Sequence, residues 1–187
     1  MFGNKHRVEE KEIQKAVEQL NKGSAEAFHI LYEKYRNNIY KFCLRMLNEV
    51  ELAEDAFQET FIKIYEHRNE FKGENFTAWA FRIARNTCLN YIRAKKEFIS
   101  FNDELYEPID PRKEDVALSD FIKNAIAQLP VPLREALILR EYDDLSYQEI
   151  ANILNIDLSL AKIRVHRSRL ILRKILEPLK KEIYESR

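Results

Sequence analysis

Residues 145–169 read LSYQEIANILNIDLSLAKIRVHRSR, and this stretch decides the architecture. Ser146, followed three residues later by Glu149, is the capping-box pattern: the hydroxyl accepts from the amide three residues on, and the glutamate reaches back to the serine amide. It starts a short helix, Tyr147 to Leu154. The break Asn155-Ile156-Asp157 follows, Asp157 or Ser159 caps the next segment, and a longer helix runs to about Ile175. Short helix, three-residue turn and longer basic helix form the helix-turn-helix pattern. From Leu158 to Lys174 the second helix holds Lys162, Arg164, Arg167, Arg169, Arg173 and Lys174 and no acid, while Ala161, Val165, Leu172 and Ile175 supply an apolar side. A DNA major groove suits such a helix, because side chains near its start meet base edges and later cations pair with phosphates. A solvated basic face is the plain alternative. The capped helix and turn in front of it favour DNA.

Upstream, Phe121 to Leu129 is a helix stopped by Pro130 and Pro132, and Leu133 to Tyr142 is another, interrupted at Asp143-Asp144. Glu97 to Asp120 differs in composition, with Pro108, Pro111 and no helical apolar period until about Val116, and reads as a linker. Before it, Ala27, Phe28, Leu31, Tyr35, Ile39, Phe42, Cys43, Met46 and Leu47 recur at three- and four-residue intervals behind the candidate cap Ser24, which marks a long amphipathic helix. A second stripe runs through Ala53, Ala56, Phe57, Phe61, Ile64 and Tyr65, and a third helix begins near Asn75 to Thr77. With the weaker segment Ile13 to Leu20 these make a four-helix unit. The fold class is therefore all-α: two helical domains, 1–96 and 117–187, joined by an acidic linker over 97–116, with the helix-turn-helix in the second.

Composition agrees and excludes much else. Three glycines in 187 residues argue against a Rossmann fold, a P-loop enzyme or a many-stranded barrel, each of which needs glycine at tight turns or phosphate loops. No stretch reaches the roughly 18 apolar residues that span a bilayer, and the charged N-terminus, Met1 to Glu12, has no apolar signal segment behind it. A cytoplasmic protein with no membrane insertion of its own is expected. Cys43 and Cys88 sit in apolar helical patterns without a second Cys or His at metal spacing, so they read as ordinary buried thiols; no metal or cofactor is expected.

A net charge of zero usually argues against a nucleic-acid partner, but here it is a sum of unlike pieces. Residues 1–96 hold 17 basic and 14 acidic side chains (+3), 97–120 hold 2 and 8 (−6), and 121–187 hold 12 and 9 (+3). Phe76 to Lys96 is a second acid-free stretch, carrying Arg82, Arg85, Arg93, Lys95 and Lys96 with Phe76, Trp79, Phe81, Tyr91, Asn86 and Asn90. Cations with interleaved aromatics and amides suit a strand whose bases have left the stack. Aromatics at helical spacing are equally the ordinary content of a core. The opposite sign appears at Glu49, Glu51, Glu54, Asp55 and Glu59, with no cation from Glu49 to Ile62. No histidine accompanies these carboxylates, which disfavours a metal or acid–base enzyme. A solvated acidic face and a docking face for a basic partner both remain open on the residues alone.

In order, Ala53-Glu-Asp-Ala-Phe-Gln-Glu59, Phe76-Thr-Ala-Trp-Ala-Phe-Arg-Ile-Ala-Arg-Asn86, Leu145-Ser-Tyr-Gln-Glu-Ile-Ala151 and Ala161-Lys-Ile-Arg-Val-His-Arg-Ser-Arg169 resemble the group IV, or extracytoplasmic-function, sigma factors of bacterial RNA polymerase. The resemblance covers about residues 24–96 and 117–176. It implies a non-enzymatic subunit that binds core polymerase, through the β′ clamp with the first domain and the β flap with the second, and directs initiation by recognising −35 and −10 promoter DNA. An anti-sigma factor is a further implied partner. By this resemblance Glu54, Asp55, Gln58 and Glu59 carry the contact to the β′ coiled coil. The loop Asn69 to Asn75, shaped by Phe71 and Gly73, takes a base flipped from the −10 element, and Arg82, Arg85, Asn86 and Asn90 hold the upstream edge of the opening duplex. The final helix reads the −35 element through Lys162, Ile163, Arg164, His166, Arg167, Arg169 and Arg173, with Lys162, Arg164 and Arg167 nearest the DNA. Relatives commonly have a small polar residue where Ile163 stands and Thr or similar where Leu160 stands. Trp79 fits both the family motif and plain core packing. The rival function is a stand-alone helix-turn-helix regulator, which shares the last 40 residues but gives no reason for the acidic patch or the order of motifs. On the sigma-factor reading, the modest charge of each basic helix and the acidic linker predict that the free chain binds duplex promoter DNA poorly and becomes competent once core polymerase spreads the domains apart.

Overall fold

The computed structural model describes residues 3–72, 75–101 and 118–177. Among them the chain forms α1 (Gly3–Leu20), α2 (Ala25–Leu47), α3 (Val50–Glu66), a 3-10 turn (Arg68–Glu70), α4 (Phe76–Phe101), α5 (Leu118–Ala127), α6 (Val131–Glu141), α7 (Tyr147–Leu154) and α8 (Leu158–Ile175), with no strand. The all-α class stands. α4 continues through Phe101, into the segment expected as a linker; the rest of that segment, 102–116, lies outside the described residues, as does Gly73.

Local chemistry sets most boundaries. The Ser24 hydroxyl accepts from the Ala27 amide at 3.2 Å and starts α2, and Asn48, left-handed at φ 58°, ends it and turns the chain into α3. Ser146 accepts from the Glu149 amide at 3.2 Å while its own amide donates to the Glu149 carboxylate at 2.8 Å, so both halves of the capping box are made. Asn155, at φ 53°, closes α7, and α8 follows without a side-chain cap from Asp157. The start of α6 also differs from the sequence expectation. α6 begins at Val131, because Pro130 stands at its N-cap and Pro132 in its first turn, where a missing N–H costs nothing and the fixed φ favours the helix.

The first unit is welded by aromatic side chains projected from α2, α3 and α4. Phe42 and Phe81 meet edge to face at 5.5 Å, and Tyr32 and Phe28 pack on Phe61. Cys43 and Cys88 are free, fully buried and side by side; the hydrogen bond between them and their burial hold the Cys88 thiol well above its ordinary value, which makes it a poor nucleophile. In the second unit the run Glu135-Ala-Leu-Ile-Leu139 of α6 is entirely buried, against Ile150, Ile153 and Leu154 of α7 and Ala161 and Val165 of α8.

The two units share one continuous apolar core rather than standing apart. α2 packs on α5 and α6, and α4 packs on α7. Arg134 of α6 reaches back to donate to the Met46 carbonyl at 2.8 Å, and Asn48 Nδ2 donates to Asn124 Oδ1 at 3.4 Å. At the turn after α6, the Arg45 guanidinium covers the Tyr142 ring at 3.7 Å. Next to it Asp143 faces Asn38, Lys41 and Arg45 of α2, with Asp144 beside it. Burial pushes its carboxyl up to about 7, against the pull of Arg45, the hydrogen bond with Asn38 and Lys41, and its Oδ2 is buried without a partner.

Two predictions follow from these contacts. Ser146→Ala removes a cap and leaves the Glu149 amide unpaired, so denaturant unfolding should show a loss of about 1 kcal/mol. For Asp143 the docked carboxyl holds its proton to higher pH than a free one does. Its contribution to stability therefore falls as pH rises from the ordinary value of 3.8 to about 7 and is level above that. Asp143→Asn abolishes this dependence: thermal unfolding should show the variant gaining on the unsubstituted chain between those limits and holding a constant advantage above them.

Candidate nucleic-acid interface and docking face

The acidic surface is built on α3. Ala53, Ala56, Thr60, Phe61 and Ile64 turn inward, which leaves Glu54, Asp55 and Gln58 exposed on the other side. Glu59, expected with them, is half-buried at the edge of that face, where it pairs with Lys63 at 2.6 Å and approaches Tyr91. Glu49, just before α3, pairs with Lys95 of α4. Solvent-facing carboxylates at one-turn spacing, with their nearest cations at the margin, leave a negative patch for a basic partner.

The second surface starts where the chain enters α4. Asn75 caps that helix by accepting from the Ala78 amide at 2.9 Å. Phe71 is only 8% exposed and packs on Phe76 at 5.6 Å and Trp79 at 5.3 Å, so it forms the inner wall of the loop rather than a free platform. Trp79 packs on Phe71 and Phe76, the core role its spacing allows, and its outer side lines a surface groove. Asn86 and Asn90 are exposed one helical turn apart on α4.

The groove, about 820 Å³, runs between Phe71, Trp79 and Arg82 on one side and Asn152, Asn155 and Ile156 of the helix-turn-helix on the other. Polar contacts cross beside it. Arg82 donates to the Asn152 carbonyl at 2.8 Å, and Asn75 Nδ2 donates to Glu149 at 3.1 Å. Burial pushes the Glu149 carboxyl up, yet its hydrogen bonds from the Ser146 hydroxyl and amide and from Asn75 outweigh this and hold it below its ordinary value. The strongest crossing is at Glu135. Arg85 grips it with two hydrogen bonds, Nε to Oε2 at 2.7 Å and Nη2 to Oε1 at 3.2 Å, and Arg164 of α8 donates to the same Oε1 at 3.1 Å. The Glu135 side chain is 2% exposed and each arginine 20%. One buried carboxylate thus holds one cation from each of the two acid-free stretches, 76–96 on α4 and 158–174 on α8.

The other side chains of α8 expected at DNA lie outside this lock. Lys162, Ile163, His166, Arg167, Arg169 and Arg173 are exposed, and Arg169 pairs with Glu141 of α6, which raises its guanidinium above its ordinary value. Of the cations expected nearest DNA, Lys162 and Arg167 are accessible and Arg164 is engaged. Sequence reasoning missed Glu135, Glu149, Asn152 and Asn75 as partners of the expected DNA-facing residues. A signal existed for Glu135: it is the only acid in the apolar run from Glu135 to Leu139, and such a position is occupied by a carboxylate only when something pairs it.

Comparison with known proteins fits this arrangement. Residues 31–98 match Sigma-70 region 2, and residues 122–172 match Sigma-70, region 4. The chain is 35% identical over 183 residues to the ECF RNA polymerase sigma factor SigW of Bacillus subtilis, covering 89% of this chain and 98% of that one. It is 32% identical to the RNA polymerase sigma-H factor of Pseudomonas aeruginosa, over 90% of this chain and 96% of that one. Among solved structures, the sigma factor RpoE of Bartonella quintana, in complex with the anti-sigma factor NepR, superposes with a TM-score of 0.71 at 25% identity, over 82% of this chain and 98% of that one. CnrH, solved with the cytosolic domain of CnrY, shares the fold at a TM-score of 0.70 and 19% identity, over 89% of this chain and 98% of that one. An acidic α3, a cation- and aromatic-bearing α4 and a capped helix-turn-helix thus follow one another along a chain that matches the two sigma-70 regions in turn, and the protein belongs to the extracytoplasmic-function sigma factors, the promoter-recognising specificity subunits of bacterial RNA polymerase.

Proposed function

We propose that α3 docks on the β′ clamp through Glu54, Asp55 and Gln58, with Glu59 at the margin of the contact, and that the second unit meets the β flap. Phe71, Gly73, Arg82, Arg85, Asn86 and Asn90 serve −10 recognition and melting, and α8 reads the −35 duplex. The protein acts by binding, in the cytoplasm, and bond-making stays with the polymerase. No helix among the described residues is long and apolar enough to cross a membrane.

One observation carries the reading: three of the cations assigned to the two promoter elements are used to close the free chain. Arg82 is held by α7, and Arg85 and Arg164 share Glu135. Phosphate binding needs those guanidiniums free, since each neutralised phosphate adds affinity. The closed chain is therefore a poor binder of promoter DNA, and core polymerase makes it competent by holding the two units apart. An anti-sigma factor, of the kind bound to RpoE of Bartonella quintana, would act by opposing that separation.

Run-off transcription tests this. Core polymerase supplied with the protein should initiate at promoters whose −35 and −10 elements it requires, and core alone should not. Asp55→Ala with Gln58→Ala should weaken holoenzyme assembly by about tenfold, with an unchanged melting temperature because both side chains are exposed. Glu135→Gln, which keeps the shape and removes the charge, should raise the affinity of the free chain for promoter DNA by about tenfold in fluorescence anisotropy at fixed salt, the worth of a charge-assisted hydrogen-bond pair.

A further inference from the structure

Ile163 has an unusual place on α8. Ala161, Val165 and Ser168 are the buried residues of the helix. At 100° per residue, the direction opposite to them passes close to Ile163 and Leu170, so in the amino-terminal half Ile163 stands at the crest of the exposed face. Its side chain is 45% exposed; Leu160, one turn earlier, is 38% exposed and Leu170 is 42% exposed. Lys162, His166 and Arg167 surround it, all exposed. A lone aliphatic on a surface is ordinary. An aliphatic at the crest of a helix without acids, encircled by cations, is where an incoming polyanion makes its closest approach.

This step rests on the assignment of α8 to the −35 duplex. The first turns of a recognition helix face base edges in the major groove. An isoleucine offers no donor or acceptor there, and it strips water from whichever base edge it covers. Against guanine, adenine or cytosine that leaves an N7, O6, N6 or N4 group unpaired; thymine alone presents an apolar group, its C5 methyl. Lys162 and Arg167 beside it supply the phosphate attraction that seats the helix, so Ile163 is free to discriminate.

We propose that Ile163 is a specificity-determining residue, reading a thymine of the −35 element through its 5-methyl group. The −35 sequence of this sigma factor then carries a thymine, on one strand or the other, beneath Ile163. Leu160 on the adjacent turn widens the same apolar contact.

Deoxyuridine differs from thymidine by that methyl alone, which gives a direct test. Holoenzyme reconstituted from core polymerase and the full chain is bound to a promoter that it transcribes, with each thymine of the −35 element replaced in turn by deoxyuridine. One replacement should weaken promoter binding about fourfold, the worth of one buried methyl group. The same replacement should have no effect on holoenzyme carrying Ile163→Ala, and Ile163→Val should restore most of it. The proposal is overturned if every deoxyuridine promoter binds as the thymidine promoter does, or if Ile163→Ala holoenzyme suffers the same loss. Base-pair transversions across the −35 element separate the two levels of the argument. If transversions cripple binding while deoxyuridine is harmless, methyl reading fails and the −35 assignment stands; if neither matters, the −35 assignment itself fails and the methyl reading with it.

Discussion

A charge withdrawn from water must find a partner, and the arrangement of this protein turns on how Glu135 meets that requirement. Its carboxylate heads a fully buried helical run, where an unpaired ion would be strongly unfavourable. The second unit supplies one partner, Arg164, from its own recognition helix. The better geometry comes from the first unit, whose Arg85 makes the two-pronged contact. Docking of the two units and pairing of the buried acid are thus one event. The residues that pair it are two of those proposed to meet promoter DNA.

Function follows from that competition. A helix-turn-helix protein with a freely exposed basic face binds DNA wherever salt permits. In this chain part of the basic face is neutralised internally, by Glu135 against Arg85 and Arg164 and by Glu141 against Arg169. Lys162, Ile163, His166 and Arg167 stay outside. On α3, Glu54 and Asp55 stay exposed on the side opposite its buried residues, and Glu59 pairs with Lys63 of its own helix. The proposed docking face is thus open in the free chain, whereas part of the proposed DNA-facing surface is occupied within it.

The elements themselves were largely legible in the residues. The period of Ala27 through Leu47, the caps at Ser24 and Ser146 and the break at Asn155 all became the helices expected of them, because helix periodicity and capping are decided within three or four residues of chain. The prolines before α6 misled for a related reason: a proline ends one helix and begins the next with equal ease, and only packing fixes which turn it joins. Trp79 is ambiguous in the sequence because an aromatic has the same spacing whether it faces a core or a ligand. In the fold it packs on Phe71 and borders the groove, a placement that spacing alone does not give.

By itself the sequence determined that the chain is helical, that it ends in a capped helix-turn-helix, and that two acid-free stretches and one acidic stretch occur in a definite order. These are properties of neighbouring residues, and local geometry enforces them. Only the tertiary structure decided that the two units meet over a single core, that Arg85 and Glu135, 50 residues apart, are partners, and that Arg164 joins them. Charge pairing between distant helices has no period and no fixed spacing along the chain; it is set by which surfaces the apolar core brings together.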